Sequence, residues 1–417
     1  MKFKEFNFDP RVLEGIESIG FETATKVQEQ AIPIIMEGKD IIASAQTGTG
    51  KTAAFLLPVI HKIINSNHDG HVRSLVIVPT RELAVQIDQQ MEGLSYFTNV
   101  SSIAVYGGTD GTSFSQEKQA LSEGADMIIG TPGRLIAHLN MGYVKIEQLQ
   151  CLILDEADRM LDMGFNDDIM KIISFLPKKR QTLLFSATMP NKMRQLARSI
   201  LNNPSEVNIG LSKPAEKVMQ VAYVVYDNQK IPLIKNLLKT KKLRSILVFC
   251  STKSSTKELA KELKRAKLAV EDIHSDLDQK AREKVLLDFK SRKLNILVAT
   301  DILSRGIDIE DIDLIINYDV PNEGEDYIHR IGRTARAESE GIAITLITEK
   351  EQRKFSEIEE LLGKPVLKSV LPPEIGEGPE YSPSTKRPER YGRQGNRQGN
   401  RQGKRNFNKN RNFKKKR

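Results

Sequence analysis

The sequence predicts an α/β protein with two parallel β-sheets, each flanked by helices, and a disordered basic C-terminal tail. Short apolar runs alternate with amphipathic stretches along most of the 417 residues. This alternation is typical of parallel sheets, whose strands are joined by crossover helices. It stops around residues 202–214, where Asn, Pro, Ser and Gly dominate, and then begins again. We therefore expect domains at residues 1–208 and 218–368, a linker at 209–217 and a tail at 369–417.

Composition limits the location of the protein. The two cysteines, Cys151 and Cys250, are far apart and lie in apolar runs, so we expect buried free thiols in a reducing compartment. We find no apolar run near the ~20 residues of a membrane span, and no apolar core of a signal peptide. A cytoplasmic protein without a membrane partner is expected.

The charge is unevenly distributed. The net charge is +9, but residues 381–417 alone carry 14 Lys and Arg against one acid, Glu389. This segment is therefore +13 and the rest of the chain is −4. Arg, Gly, Asn and Gln dominate it, with a tetrapeptide repeat at Arg393, Arg397 and Arg401. Such a segment has no means of forming a core, and its charge is typical of polyanion binding.

The apolar run at residues 41–43 and the loop after it predict a nucleotide site. Residues 41–43 have the character of a buried strand, and residues 51–64 form helices readily. The loop between them matches the P-loop pattern except that Ala45 replaces the first glycine. Its backbone would wrap a phosphate, Lys51 would reach the β- and γ-phosphates, and Thr52 would hold Mg²⁺. The alternative is a glycine-rich turn that binds nothing. The site would comprise eight residues: Ala45, Gln46, Thr47, Gly48, Thr49, Gly50, Lys51 and Thr52.

Further motifs follow the strands of the first half. We expect strands at 75–78, 103–106, 127–129, 152–154 and 182–185, and helices at 82–94, 134–139 and 193–201. Ligands of such sheets bind at the carboxyl ends of the strands. The motifs found there are Pro79-Thr80-Arg81-Glu82, Gly107-Gly108, Thr131-Pro132-Gly133-Arg134, Asp155-Glu156-Ala157-Asp158 and Ser186-Ala187-Thr188.

Two of these acids suit hydrolysis. Asp155 and Glu156 follow an apolar strand beside the predicted phosphate loop. Asp155 is placed to hold Mg²⁺, and Glu156 to orient and deprotonate a water. Hydrolysis also needs positive charge at the γ-phosphate.

The second half could supply that charge. We expect its strands at 221–225, 246–249, 296–299, 314–316 and 342–347, and it has no Gly-Lys-Ser/Thr sequence. It has arginines in loops, at Arg305 and in the cluster Arg330, Arg333 and Arg336, which follows His329. If the two domains shared one nucleotide, they would form a clamp that ATP closes and hydrolysis opens.

Together, Asp155-Glu156-Ala157-Asp158 and its companion motifs resemble the DEAD-box RNA helicases. The resemblance covers residues 3–367 and implies two tandem RecA-like domains. The stretch 159–165 and the basic tail are similar to the bacterial RhlE-like subgroup. An ATP-dependent RNA helicase that locally unwinds short duplexes, or remodels RNA and its protein complexes, is implied.

The resemblance also implies roles for individual residues. Phe21 would stack on the adenine with Phe3 in support, Gln28 would read the base edge, and Asp308 would contact the ribose. Arg333 and Arg336 would be arginine fingers. Ser186, Thr188 and His329 would couple hydrolysis to strand separation. The RNA backbone would contact nine residues: Pro79, Thr80, Arg81, Gly108, Thr131, Arg134, Gln279, Arg282 and Thr300.

Several alternatives stay open. Ala24 and Lys26 replace prolines of the family pattern, and Ser275 and Ala335 replace glycines. An ATP-gated RNA clamp with negligible turnover and a DNA helicase are the competing functions. A monomer is expected, and ribosomal precursors or RNA decay machinery are settings that the sequence does not decide between.

Overall fold

The computed structural model describes residues 1–45, 48–66, 69–108, 111–208, 218–240, 243–300, 312–334 and 341–383. Within these residues the chain forms two sheets of seven strands, and every strand pairing in them is parallel. We call residues 1–208 lobe 1 and residues 218–383 lobe 2. The predicted α/β fold with two helix-flanked parallel sheets is confirmed.

Lobe 1 begins with a 3₁₀ turn at Phe3–Phe6. Its strands are β1 (Ile41–Ser44), β2 (Ser74–Ile77), β3 (Ser102–Val105), β4 (Met127–Gly130), β5 (Cys151–Leu154), β6 (Gln181–Ser186) and β7 (Ser205–Asn208). Its helices are α1 (Pro10–Ser18), α2 (Lys26–Met36), α3 (Lys51–Ile64), α4 (Arg81–Ser95), α5 (Gly111–Glu123), α6 (Pro132–Asn140), α7 (Ala157–Asp162), α8 (Asn166–Phe175) and α9 (Asn191–Ile200). The sheet order is β3-β4-β2-β5-β6-β1-β7.

Lobe 2 repeats this order with its own strands, as β10-β11-β9-β12-β13-β8-β14. The strands are β8 (Val218–Val224), β9 (Ile246–Cys250), β10 (Val270–Ile273), β11 (Ile296–Thr300), β12 (Leu314–Asn317), β13 (Gly341–Ile347) and β14 (Leu367–Lys368). The helices are α10 (Lys230–Thr240), α11 (Lys253–Arg265), α12 (Gln279–Lys290), α13 (Gly324–Ile331) and α14 (Gln352–Leu362), with a 3₁₀ turn at Asp227–Gln229.

Apolar residues on both faces of the strands hold the helices in place. Along β1, Ile41 and Ala43 belong to the core that includes Phe55 of α3, whereas Ile42 belongs to the core on the opposite face with Ile169 of α8. Strands β2, β4, β5 and β6 are buried along their whole length, as expected for parallel strands covered on both sides. The carboxyl ends of these strands are thereby fixed at one edge of the sheet.

Two segments differ from the prediction. The linker-like stretch 202–214 contains β7, an edge strand with Val207 buried, and residues 209–217 lie outside the described residues. The disorder expected from residue 369 does not apply to residues 369–383, because Leu371, Ile375 and Tyr381 pack against lobe 2. We call residues 369–383 the strap. The tail from residue 384 onward lies outside the described residues.

The state of the cysteines and the lengths of the helices bear on the expected cellular compartment. Both cysteines are buried free thiols. Within the described residues, we find no helix long and apolar enough to cross a membrane.

Candidate active site between the lobes

The loop after β1 presents a buried cation to a cavity. Gly48 and Gly50 have φ of +78° and +88°, and Gly50 is the N-cap of α3. Lys51, the first residue of α3, is 7% exposed. Within the described residues its buried Nζ has no hydrogen-bond partner. A buried ammonium without a partner is costly, so this position suits an anionic ligand. Gln46 and Thr47 lie outside the described residues.

The segment before α2 is bonded to this loop. Gln28 Nε2 donates to the Gly50 carbonyl at 3.0 Å, and Thr25 Oγ1 donates to the Thr49 carbonyl at 2.7 Å. A side chain at Gly50 would come within 2.5 Å of Gln28 Nε2, so the contact requires glycine. Gln28 Oε1 accepts from the Thr25 backbone, which fixes the amide orientation. A phosphate at the loop and a nucleotide base beside Gln28 would therefore contact two segments that are hydrogen-bonded to each other.

Aromatic rings complete this side of the loop. Phe21 is partly exposed and stacks on buried Phe3, with ring centres 6.2 Å apart. Although Ala24 replaces a family proline, its N–H bonds to the Met1 carbonyl, and Thr23 pairs with Lys2 in a β-bridge. The N-terminal segment therefore braces this part of the chain. Ser275 also causes no strain, since it is not among the residues with positive φ.

Of the two carboxylates directly after β5, Glu156 lines the same cavity and Asp155 is buried next to it. Asp155 is 3% exposed, and burial raises its pKa to about 6, with Lys51 opposing and Glu156 adding to the shift. Glu156 precedes α7 with φ of +49°, a left-handed conformation that costs a non-glycine residue about 1–2 kcal/mol. Arg159 Nη1 lies 3.4 Å from Glu156 Oε2. The surrounding structure maintains this conformation, and the Glu156 side chain lines the cavity.

The oxygen donors fit Mg²⁺ bound with a nucleotide. Within the described residues, no cluster of three or more His, Cys, Asp or Glu side chains could hold a metal alone. Mg²⁺ typically needs only one or two protein oxygens when phosphates supply others. Asp155 and Thr52, the latter beside Lys51 at the start of α3, would be those ligands.

The Ser186-Ala187-Thr188 turn bonds to the last acid of the motif. Asp158 Oδ2 accepts from both the backbone N–H and the hydroxyl of Thr188, each at 2.9 Å, and Ser186 Oγ donates to the Thr188 carbonyl at 2.7 Å. The turn after β6 is therefore hydrogen-bonded to α7, so a shift of α7 would also move this turn.

Lobe 2 contributes to the opposite wall of the cavity. The cavity measures about 410 Å³ and is lined by Lys51, Glu156 and Thr188 from lobe 1 and by His329 and Arg333 from lobe 2. Arg330 instead lies inside lobe 2, donating to Asn317 and to the Asp319 carbonyl. It is therefore a buried structural residue and not part of the cavity wall. Arg305, Asp308, Ala335 and Arg336 lie outside the described residues.

A second contact between the lobes joins α4 to α12. Arg81 Nη2 lies 2.8 Å from Glu283 Oε1, and Arg282 Nη1 lies 3.3 Å from Glu82 Oε1. Arg81 also lies over the Tyr106 ring, 4.4 Å from its centre. Within the described residues, Arg81 Nε and Nη1 and Arg282 Nε are buried without hydrogen-bond partners. Two arginines predicted to bind RNA therefore lie close together. Each has at least one nitrogen without a hydrogen-bond partner in the described part of the chain.

The other predicted RNA contacts fall at or after strand ends and at the start of α12. Thr80 caps α4, with Pro79 before it. Gly108, with φ of +85°, lies beside Arg81. Gln279 Nε2 donates to Glu283 Oε1 at 3.0 Å. Thr300 ends β11 and is buried.

The Thr131–Arg134 turn begins α6. Here the structure shows a partner that the motifs did not predict, because Glu117 of α5 accepts from Arg134 Nε at 2.7 Å. The only sequence signal for this contact would have been an acid on the helix preceding the turn.

Comparison with known proteins identifies the family. Residues 25–196 match the model of DEAD/DEAH box helicases, and residues 229–338 match the helicase conserved C-terminal domain. The chain is 42% identical to the ATP-dependent RNA helicase CshA of Listeria monocytogenes, over 87% of this chain and 69% of that protein. It is 39% identical to the DEAD-box ATP-dependent RNA helicase CshA of Geobacillus kaustophilus, over 91% and 80%.

The fold is similar to that of Saccharomyces cerevisiae Dbp5 bound to RNA and ADP BeF3. The TM-score is 0.79 at 30% identity, covering 88% of this chain and 95% of Dbp5. The chain belongs to the DEAD-box helicase family.

Proposed function

We propose that this chain is an ATP-dependent RNA helicase that closes its two lobes on ATP and RNA and reopens on hydrolysis. The supporting observation is that cationic groups of both lobes converge at the two interlobe contacts. Residues 1–208 and 218–368 would be the catalytic domains, joined by 209–217. The names of the relatives and the RNA-bound state of the similar structure support the helicase proposal.

The cavity residues divide the work of ATP hydrolysis. Lys51 would neutralise the β- and γ-phosphates, and the backbone of the loop at residues 45–52 would cradle them. Gln28 and Phe21 would recognise adenine, and Asp308 the ribose. Mg²⁺, held by Asp155 and Thr52, would neutralise charge on the phosphates. Glu156 would orient and deprotonate water.

Lobe 2 would complete the site only on closure. Arg333 already lines the cavity opposite Lys51, and we propose it as an arginine finger together with Arg336. Because a finger acts on charge that develops in the transition state, hydrolysis would depend on lobe closure. The bonds from Asp158 to Thr188, with Ser186 and His329, would transmit that state to the RNA.

RNA would bind through its backbone near the α4–α12 contact. Guanidinium groups with unsatisfied buried donors suit phosphate oxygens, since such bonds are charge-assisted. Contacts to phosphate and 2′-OH groups carry little sequence information, so binding would be largely independent of sequence. Pro79, Thr80, Gly108, Thr131, Arg134, Gln279 and Thr300 would extend this path.

The deciding experiment compares ATP hydrolysis without nucleic acid, with a single-stranded RNA and with DNA of the same sequence. We expect RNA to stimulate turnover and DNA to stimulate it far less. Glu156→Gln should keep ATP and RNA bound while turnover nearly stops. Equal stimulation by DNA would favour a DNA helicase, and RNA binding without multiple turnovers would favour an ATP-gated clamp.

Finer assignments stay predictions. The RhlE-like subgroup rests on the stretch 159–165 and the basic tail, whereas the relatives compared above are named CshA. The monomeric state, the cytoplasmic location and a role with ribosomal precursors or RNA decay machinery are likewise untested predictions.

A further inference from the structure

A buried cluster lies behind the turn that begins α6. Glu117 is 7% exposed, and its Oε2 accepts hydrogen bonds from Arg134 Nε and from His138 Nε2, both at 2.7 Å. The three residues come from two helices, α5 and α6. We call Phe114, Glu117, Arg134, His138 and Tyr143 the Glu117 cluster.

An aromatic ring holds the same guanidinium from its face. The Arg134 Cζ lies 4.4 Å from the centre of the Phe114 ring. His138 stacks on that ring at 4.6 Å with an interplanar angle of 10°, and the Tyr143 hydroxyl bonds to His138 Nδ1. Arg134 is thus fixed at one edge by a carboxylate and on one face by a ring.

We propose that Glu117 is a positioning residue for RNA binding, which fixes the Arg134 guanidinium in the orientation that meets an RNA phosphate. This inference rests on the proposed function, and it adds a residue outside the motifs. A free arginine side chain loses rotamer entropy when it binds a ligand. An arginine that is already fixed avoids much of that cost, and its planar fork keeps a defined direction.

Charge alone predicts the opposite result, which makes the inference testable. Removing a negative charge near a polyanion site should strengthen RNA binding. Removing a carboxylate that positions Arg134 should weaken it. The variant Glu117→Gln keeps the shape of the side chain and separates these expectations by sign.

The experiment measures ATP hydrolysis by the full chain against the concentration of a single-stranded RNA. For Glu117→Gln we expect the half-saturating RNA concentration to rise about tenfold, equivalent to ~1.4 kcal/mol, with kcat at saturating RNA changed by less than about twofold. Glu123→Gln is the matched control, because Glu123 is exposed on the same helix and loses the same charge. The control should leave the RNA concentration unchanged or lower it.

A second pair of variants distinguishes a positioning role of Glu117 from misfolding. The same pair separates the positioning role from the proposed function. Arg134→Lys keeps the charge but loses the planar fork, so it should also raise the half-saturating RNA concentration. In an Arg134→Ala background, Glu117→Gln should add no further rise. If Arg134→Ala weakens RNA binding but Glu117→Gln behaves like Glu123→Gln, the positioning role is wrong and the proposed function stands. If Arg134→Ala itself has no effect, its proposed RNA contact fails and the positioning role fails with it.

Discussion

Lobe 1 and lobe 2 each place a buried lysine at the same point of the same fold. Lys51 begins α3, which follows β1, and Lys230 begins α10, which follows β8. β1 and β8 occupy the same position in the two sheet orders. Both lysines are nearly inaccessible, at 7% and 3% exposure. The two sites differ in what surrounds the ammonium group.

In lobe 2 the protein itself neutralises the cation. Lys230 Nζ lies 2.8 Å from Asp319 and 3.7 Å from Glu351, and it lies over the Tyr318 ring. In lobe 1 Lys51 Nζ is left without a hydrogen-bond partner in the described part of the chain. The shared fold thus supplies a buried cation at a helix start, and neighbouring residues decide whether a phosphate is needed there.

The strap adds to the difference. Gln229, directly before Lys230, donates through Nε2 to the carbonyls of Ile375 and Glu377. The loop of lobe 2 is therefore bonded to the chain's own backbone, whereas the corresponding loop of lobe 1 borders a cavity. This difference favours the prediction that a nucleotide binds at the loop of lobe 1 and not at that of lobe 2.

The largest expected effect is that of Lys51→Met. Losing the cation should reduce RNA-stimulated kcat by about 10³-fold, the scale seen when a group stabilising transition-state charge is removed. The measurement is steady-state ATP hydrolysis at saturating ATP and RNA. Turnover near that of the wild type would contradict the proposed nucleotide site.

The same substitution in lobe 2 should act on stability. Lys230→Met would remove the cation that pairs with Asp319 and Glu351, whose side chains are 18% and 15% exposed, so we expect the free energy of unfolding to fall by about 2–3 kcal/mol. Urea unfolding measures this, and kcat per folded molecule should be unchanged. Lys235→Met is the control, because its partly exposed pair with Glu262 should contribute less than about 1 kcal/mol. Equal losses from the two variants would show that Lys230 is not neutralised as described.

The sequence predicted most of lobe 1 because its signals are local. Apolar runs marked β2, β5 and β6, and glycine next to lysine marked the loop before α3. The edge strand β3 was predicted, but the edge strands β7 and β10 were missed, since β7 buries only Val207 and β10 places Glu271 and Asp272 between its two buried ends. Such strands have no apolar periodicity to detect.

Contacts between distant residues were beyond the sequence for a different reason. The pairs of Arg81 with Glu283 and of Arg282 with Glu82 join positions about 200 residues apart. The strap has the composition of a loop, yet Gln352 bonds to the Glu380 carbonyl and to the Ser382 N–H. Only the folded lobe creates these partners, so local composition predicted disorder.

Ending the chain after Val370 tests whether the strap is part of lobe 2. Leu371 and Ile375 would leave the core, and the bond from the Tyr381 hydroxyl to Glu359 would be lost. We expect a loss of about 2 kcal/mol in the free energy of unfolding, compared with a chain ending after Pro383. Equal urea midpoints for the two chains would contradict this.

Acid should reduce that difference. Burial alone would raise the pKa of Glu359, but hydrogen bonds from Lys368 and Tyr381 hold it below its usual value. A lowered pKa stabilises the folded state at neutral pH, and this contribution is lost as pH falls through the folded pKa. The difference in stability between the two truncated chains should therefore narrow at low pH, and the part due to Leu371 and Ile375 should remain.

The smallest effect is expected from ending the chain after Pro383, which keeps the strap and both lobes. It removes residues 384–417, with 14 basic residues, one acid and the aromatic residues Tyr391, Phe407 and Phe413. If this segment anchors RNA by neutralising phosphates and stacking on bases, truncation should raise the half-saturating RNA concentration most at low salt. The maximal ATPase rate should change little, because the cavity residues remain.

Each lost phosphate contact should flatten the slope of log K against log salt by about 0.7. A segment that only increases solubility would leave both the RNA affinity and that slope unchanged, and this result would exclude an RNA anchor.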